Sequence, residues 1–281
     1  MNANELTFGV EIECYVPVNS FPIGAYHRGV QIAALPPGWN AQHDGSLYTR
    51  RRGFEAVEIV SPILTGADGM RQVKAAVQYL KSLGATVNAR CGFHVHIGVG
   101  QNRKMIATLT SLASNFQSAL YAITGSHNRE RGSYCQPIRD SFRNIGLNTG
   151  ELRGNATDRF HLLNLSNLIT GSKRTVEFRV FAGTVNWIKA AGYITVCLAM
   201  AEKASKLKRL PVWNGVTPVD SSTLHRKGVG LTQLTRLFYS LGWTKGDRQP
   251  IFGLLAADDL PSIDEYKRVF RRLARKYDAG A

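Results

Sequence analysis

Ionisable side chains recur at alternate positions inside short apolar runs, and this pattern constrains the fold of the chain more than any other feature. The runs are Phe8-Gly9-Val10-Glu11-Ile12-Glu13, Val57-Glu58-Ile59-Val60, Gly92-Phe93-His94-Val95-His96-Ile97-Gly98 and Thr175-Val176-Glu177-Phe178-Arg179-Val180. Successive side chains of a strand point to opposite faces. Phe8, Val10, Ile12 and Cys14 therefore share one side, with Glu11 and Glu13 on the other. The same arithmetic sets Glu58 against Val57 and Ile59, His94 and His96 against Phe93, Val95 and Ile97, and Glu177 and Arg179 against Val176, Phe178 and Val180. Several strands thus carry an ionisable face backed by an apolar one.

Between these runs the pattern changes period. Met70, Val73, Val77, Leu80 and Leu83 repeat as a helix does from Asp68 to Leu83, with Gly84 as its stop. Ile106, Leu109, Leu112, Phe116, Leu120 and Ile123 predict one helix from Asn102 to about Thr124. Residues 17 to 41, rich in Pro, Gly and Asn, read as a long loop. Residues 126 to 159 are polar and arginine-rich, including Arg129, Arg131, Arg139, Arg143, Arg153 and Arg159, and predict loops and short helices facing an anion. Leu162 to Ile169 and Thr175 to Phe181 read as two paired strands joined by a turn at Gly171-Ser172. Helices are predicted over 187–207, 231–241 and 263–276. The expectation is one α+β domain over residues 1–281, with a motif-bearing sheet core at about 5–185 and a helical, basic part at about 186–281.

No run approaches the ~18–20 apolar residues of a membrane helix, and the N-terminal residues lack the basic-then-apolar order of a signal peptide. Cys14, Cys91, Cys135 and Cys197 show no CxxC spacing, which argues against both a disulfide framework and a cysteine zinc site. A cytoplasmic protein is the expectation. The formal net charge of +15 would attract nucleic acid, nucleotides or acidic peptides without choosing among them. Because no nucleic-acid motif accompanies the basic clusters, a nucleic-acid partner is not favoured.

Carboxylates converging on one sheet face repel one another and resist desolvation unless cations neutralise them. Oxygen donors from Glu11, Glu13, Glu58 and Glu177 suit magnesium or manganese better than zinc, and magnesium so held usually completes its shell with water and phosphate oxygens. Arg179, on the same face as Glu177, is placed to meet a phosphoryl group through its planar fork.

As an ordered set the segments resemble the amidoligase branch of the glutamine synthetase and glutamate-cysteine ligase superfamily. The matching residues are Gly9, Glu11 and Glu13 of GxExE, the Asp44-Gly45-Ser46 turn, the acidic strand from Glu58 to Pro62, Gly92-His94-Val95-His96, and Phe160 and Asn164 followed by Glu177-Phe178-Arg179. The resemblance implies a curved antiparallel sheet with helices on its outer face, ATP, and two or more magnesium ions. Glu13 and Glu58 would hold one metal, and Glu11, His94 and Glu177 the metal nearer the nucleotide phosphates. Arg179 would grip the transferred phosphate, with His96, Arg174 and Asn164 as further nucleotide-side residues. Asp44 would orient or deprotonate an incoming amine, although an Asp bonded to backbone amides two residues on is an equally good reading of that turn. The implied reaction activates a substrate carboxylate as an acyl phosphate and couples it to an amine, with a peptide or protein among the conceivable substrates. Three other readings stay open: a kinase of the same fold group, a metal-dependent hydrolase built on His94 and His96, and a non-enzymatic polyanion-binding protein.

Overall fold

The computed structural model describes residues 1–138, 159–170, 173–208, 228–244, 250–255 and 257–280. Strand β1, Thr7–Pro17, is the centre of an antiparallel sheet because both its edges find long partners. On one side lie β4 (Phe54–Val60), then β3 (Asn40–Gln42) and β2 (Val30–Gln31); β5 (Leu64–Thr65) pairs with the start of β1. On the other side come β6 (Gly92–Gly98), β8 (Thr175–Ala182) and β7 (Leu163–Asn164). Mixed α and β elements and an antiparallel sheet bear out the expected class at that level.

The face assignments hold. Phe8, Val10, Ile12, Cys14, Val57, Ile59, Phe93, Val95, Ile97, Val176, Phe178 and Val180 are all buried in the main core. Three helices join them there: α1 (Gly66–Ser82), α2 (Arg103–Asn115) and the long α6 (Trp187–Lys206). At about 2–3 kcal/mol for each large apolar side chain removed from water, this face supplies the driving force for the fold. Tyr193 of α6 stacks on Phe181 of β8 at 4.3 Å and on Phe270 of α8 (Ile263–Asp278) at 6.0 Å, which ties the sheet to the C-terminal helices. Helix α7 (Val229–Ser240) packs beside α8.

Three expectations need correction. The single helix over 102–124 is two, α2 and α3 (Gln117–Ala122), because Phe116 leaves helical geometry at φ −113°, ψ 17°. Residues 17–41 are not all loop, since β2 and the start of β3 extend the sheet edge. The strand expected over 162–169 is only Leu163–Asn164. The Asn164 side chain accepts from the Ser166 amide at 2.8 Å and turns the chain into the short helix α5 (Ser166–Thr170). In the arginine-rich stretch, α4 (Asn128–Arg131) is present, whereas 139–158 and the expected turn at 171–172 lie outside the described residues. Among the described residues, no helix is long and apolar enough to cross a membrane.

Candidate active site

Strand register turns the alternating pattern into a two-dimensional array. Across the sheet, Gln42 stands opposite Glu58, Glu58 opposite Glu13, Glu11 opposite His94, His96 opposite Glu177, and Glu177 opposite Asn164. Directly opposed residues on one face are within side-chain reach. The outcome is a sheet face on which Glu11, Glu13, Glu58, His94, His96, Asn164, Glu177 and Arg179 converge, all backed by the apolar core.

Two histidines knit the carboxylates together. His94, only 2% exposed, brings Nδ1 to 3.0 Å from Glu11 and 3.5 Å from Glu177, and Nε2 to 3.6 Å from Glu13. His96 Nε2 lies 3.1 Å from Glu11. At the β8 end, Glu177 accepts from Arg179 Nη1 at 2.5 Å and from Asn164 Nδ2 at 2.6 Å. At the β4 end, Glu58 accepts from Gln42 Nε2 at 2.6 Å, and the Glu13 carboxylate accepts from the Gly92 amide.

A β-bulge sits beside this array. The β6–β8 register passes from Phe93↔Phe181 to Val95↔Phe178, so Arg179 and Val180 together oppose His94. The bulge is held from both sides: the Arg179 amide donates to Leu162 O at 2.8 Å, and the Arg179 carbonyl accepts from Arg129 Nη2 at 2.5 Å. Bulges re-aim side chains, and this one supports the guanidinium that meets Glu177. Gly92 is required by close approach, since a Cβ there would lie 2.4 Å from His94 Nε2 and 3.0 Å from Arg129 Nη2.

The electrostatics divide the face. Burial pushes Glu11 and Glu177 upward, but the facing histidines, with Arg179 beside Glu177, outweigh it and hold both below the usual carboxylate range. Burial works to lower His96, and Glu11 and Glu177 reverse that and raise it. Glu58 has no cation at hand: burial first, then the charge of Glu11, push it up to about 8 against the opposing bond from Gln42. Glu11 and Glu177 are thus lowered by the cations that face them, whereas Glu58 is raised.

The donor set fits a divalent metal. Glu13, Asp44 and Glu58 bring ligand atoms within 4.8 Å of one another, as do Glu11, His96 and Glu177, and also Glu11, Glu58 and His94. His96 Nδ1 is buried without a hydrogen-bond partner, which costs stability unless something binds it. Asp44 joins Glu13 and Glu58 in this geometry while its Oδ1 also accepts from the Ser46 amide at 2.5 Å, the backbone bond of a turn-stabilising Asp.

A cleft of about 630 Å³ opens along the start of β1, lined by Gly9, Glu11, Ser61, His96, Lys173, Arg174 and Thr175 among others. Arg174 therefore stands at the cleft rather than in the carboxylate array. Arg90 stacks on Tyr48 at 4.2 Å and Arg159 lies over Phe160 at 5.2 Å. Two residues of the site escape sequence reading. Gln42 is neutral and precedes the acidic turn unmarked, and Arg129 is one arginine among many, although it is buried at the bulge. Ser61 has a structural role: its Oγ accepts from the Val10 amide at 2.8 Å and donates to the Pro62 carbonyl at 2.8 Å.

A family described as "Putative amidoligase enzyme" matches residues 4–201, which span the whole sheet and most of α6. The chain belongs to this amidoligase family. Among curated proteins none matches it. Among solved structures, it is similar to a bifunctional glutathione synthetase from Pasteurella multocida, at 13% identity and a TM-score of 0.49 over 99% of this chain. The chain spans about half of that protein's length, 48%.

Proposed function

We propose that this amidoligase is an ATP- and magnesium-dependent carboxylate-amine ligase that works through an acyl phosphate. The observation that carries the reading is the pairing of two oxygen-rich ligand groups, Glu13-Asp44-Glu58 and Glu11-His96-Glu177, with the Arg179 fork at the edge of the second. The arrangement of acids on one sheet face and helices on the other accords with the glutamine synthetase-like fold that the motifs imply.

Glu13 and Glu58, with Asp44, would hold one metal; Glu11 and Glu177, with His96 or His94, would hold the other. Bound magnesium would offset the charge of the carboxylates and of the triphosphate and leave the γ-phosphorus open to attack. Lys173, Arg174 and Thr175 offer cations and a hydroxyl along the cleft for the anionic nucleotide. In the first step an oxygen of the substrate carboxylate forms a bond to the γ-phosphorus as the bond to the ADP oxygen breaks. Arg179 donates to the transferring phosphoryl oxygens, held in place by Arg129 through the bulge carbonyl and by Asn164 through Glu177. In the second step the amine nitrogen attacks the acyl carbon, phosphate leaves with its oxygen, and the proton lost by nitrogen passes to Asp44 or to water. The products are an amide, ADP and phosphate.

Hydroxylamine replaces the amine in the test. Magnesium-dependent release of ADP from pools of carboxylates, with matching formation of hydroxamate, supports the ligase. ADP without hydroxamate assigns a phosphotransferase, and hydrolysis of amides without ATP assigns the histidine-centred hydrolase.

A further inference from the structure

The family match ends at residue 201, and the helices beyond it carry a surface that the proposed chemistry does not use. On α8, Arg268, Arg272, Arg275 and Lys276 are exposed, and from Tyr266 to Tyr277 the helix contains no acidic residue. Positions 268, 272 and 276 recur every fourth residue and so form one stripe. The acids at the ends of α8 are already engaged. Asp264 pairs with the buried Lys267, Glu265 completes the capping box with Ser262, and Asp278 accepts from the amides of Gly230 and Leu231.

A second element adds charge to the stripe instead of neutralising it. Lys189 of α6 lies one turn before Gly192, on which Phe270 and Tyr266 of α8 pack, so it faces the basic helix; burial, and then the charges of Lys276 and Arg272, hold its ammonium below the usual range. Among the described residues, none of Lys189, Arg268, Arg272, Arg275 and Lys276 forms an ion pair. Like charges gathered on a rigid face cost stability unless an anion meets them.

The stripe is also coupled to the site. His127 bonds the Tyr277 carbonyl at 2.9 Å and the Tyr277 hydroxyl donates to Glu130, while Arg129 between them donates to the Arg179 carbonyl. His127, at the start of α4, with Arg129 and Glu130 within it, thus holds the basic helix and the bulge at once.

We infer that the stripe formed by Lys189, Arg268, Arg272 and Lys276 docks an acidic polypeptide that brings its carboxylate to the site. The inference rests on the ligase reading, which requires a carboxylate substrate that the acidic face would otherwise repel. Carboxylates on alternate residues of an extended chain lie ~6–7 Å apart, close to the ~6 Å rise between successive members of the stripe.

The test is fluorescence anisotropy with a labelled oligoglutamate peptide, without nucleotide or metal, at low and at high salt. Wild-type protein should bind in a salt-dependent way. The Arg268→Glu/Arg272→Glu/Lys276→Glu variant should bind at least about tenfold more weakly. The control Lys81→Glu/Arg103→Glu/Lys104→Glu carries the same change of net charge and should bind as wild type does. The neutral Arg268→Gln/Arg272→Gln/Lys276→Gln variant, with a native circular dichroism spectrum, separates loss of charge from loss of fold and should also bind weakly. Equal loss in the control, a lack of peptide binding, or tighter stripe-dependent binding of a single-stranded oligonucleotide of equal charge would each overturn the inference. Magnesium-dependent stabilisation by ATP in a protein that ignores oligoglutamate removes the docking inference and leaves the ligase standing. Stripe-dependent peptide binding without any response to ATP overturns the ligase reading, and with it the delivery of a carboxylate to the site, and keeps only the docking.

Discussion

Replacing Glu58 by Gln should stabilise the metal-free protein and at the same time destroy its response to magnesium. In the folded chain Glu58 is raised from the ordinary 4.5 to about 8, first by burial and then by the charge of Glu11. A group raised on folding adds stability while both states are protonated and loses it as pH climbs from its unfolded towards its folded value. At about 1.4 kcal/mol per pH unit, the wild-type protein should lose about 3 kcal/mol between about pH 5 and about pH 7.5 from this group. Gln has the shape of the protonated acid, and its carbonyl can keep the bond from Gln42 Nε2 that Glu58 now accepts at 2.6 Å. Urea denaturation in EDTA across that range should therefore show the variant gaining on the wild type as pH rises. With magnesium the order should invert, because binding removes the proton from Glu58 and stabilises only the wild type. Parallel pH profiles in EDTA, or a variant that is less stable at about pH 7.5, would mean that folding does not raise Glu58.

Three further outcomes follow from the same geometry. Arg179→Ala should cut ADP release by about 10²-fold or more and lower stability by only about 1–2 kcal/mol, since Asn164 still holds Glu177; steady-state rates and denaturant melts check it. Gly92→Ala should cost about 1–3 kcal/mol, because its Cβ meets His94 and Arg129, whereas Gly45→Ala, with open space around it, should melt as wild type does. Arg129→Met leaves the bulge carbonyl without its buried donor and should cost about 1–3 kcal/mol, with a fall in kcat larger than that of KM if the bulge aims Arg179.

Strand faces were legible because period-two alternation is a local property: Glu11 against Val10 and Ile12 can place itself. The pairing of those strands was not. That Glu13 faces Glu58, or that His96 faces Glu177, depends on register across loops, and the bulge at Arg179-Val180 exists only as a mismatch between β6 and β8. The motif order supplied the grouping of the acids through resemblance, not through periodicity. One misread element has a short polar residue that diverts the backbone as its cause. Asn164 sits in an apolar run that looks like strand, yet its side chain binds the Ser166 amide and starts a helix. Gln42 and Arg129 went unrecognised for the opposite reason, since nothing local distinguishes a glutamine before a turn or one arginine in a basic stretch. The signal that marks them is burial beside unpaired charge, which only the folded chain reveals.

A thermal-shift titration probes the nucleotide-metal site proposed for the acidic face. Wild type and Glu177→Gln would be heated with ATP, with and without magnesium. Saturating ATP should raise the wild-type Tm by about 5 °C or more only when magnesium is present, and the variant should show no such rise. No magnesium-dependent rise in the wild type, or an equal rise in both proteins, would contradict the account.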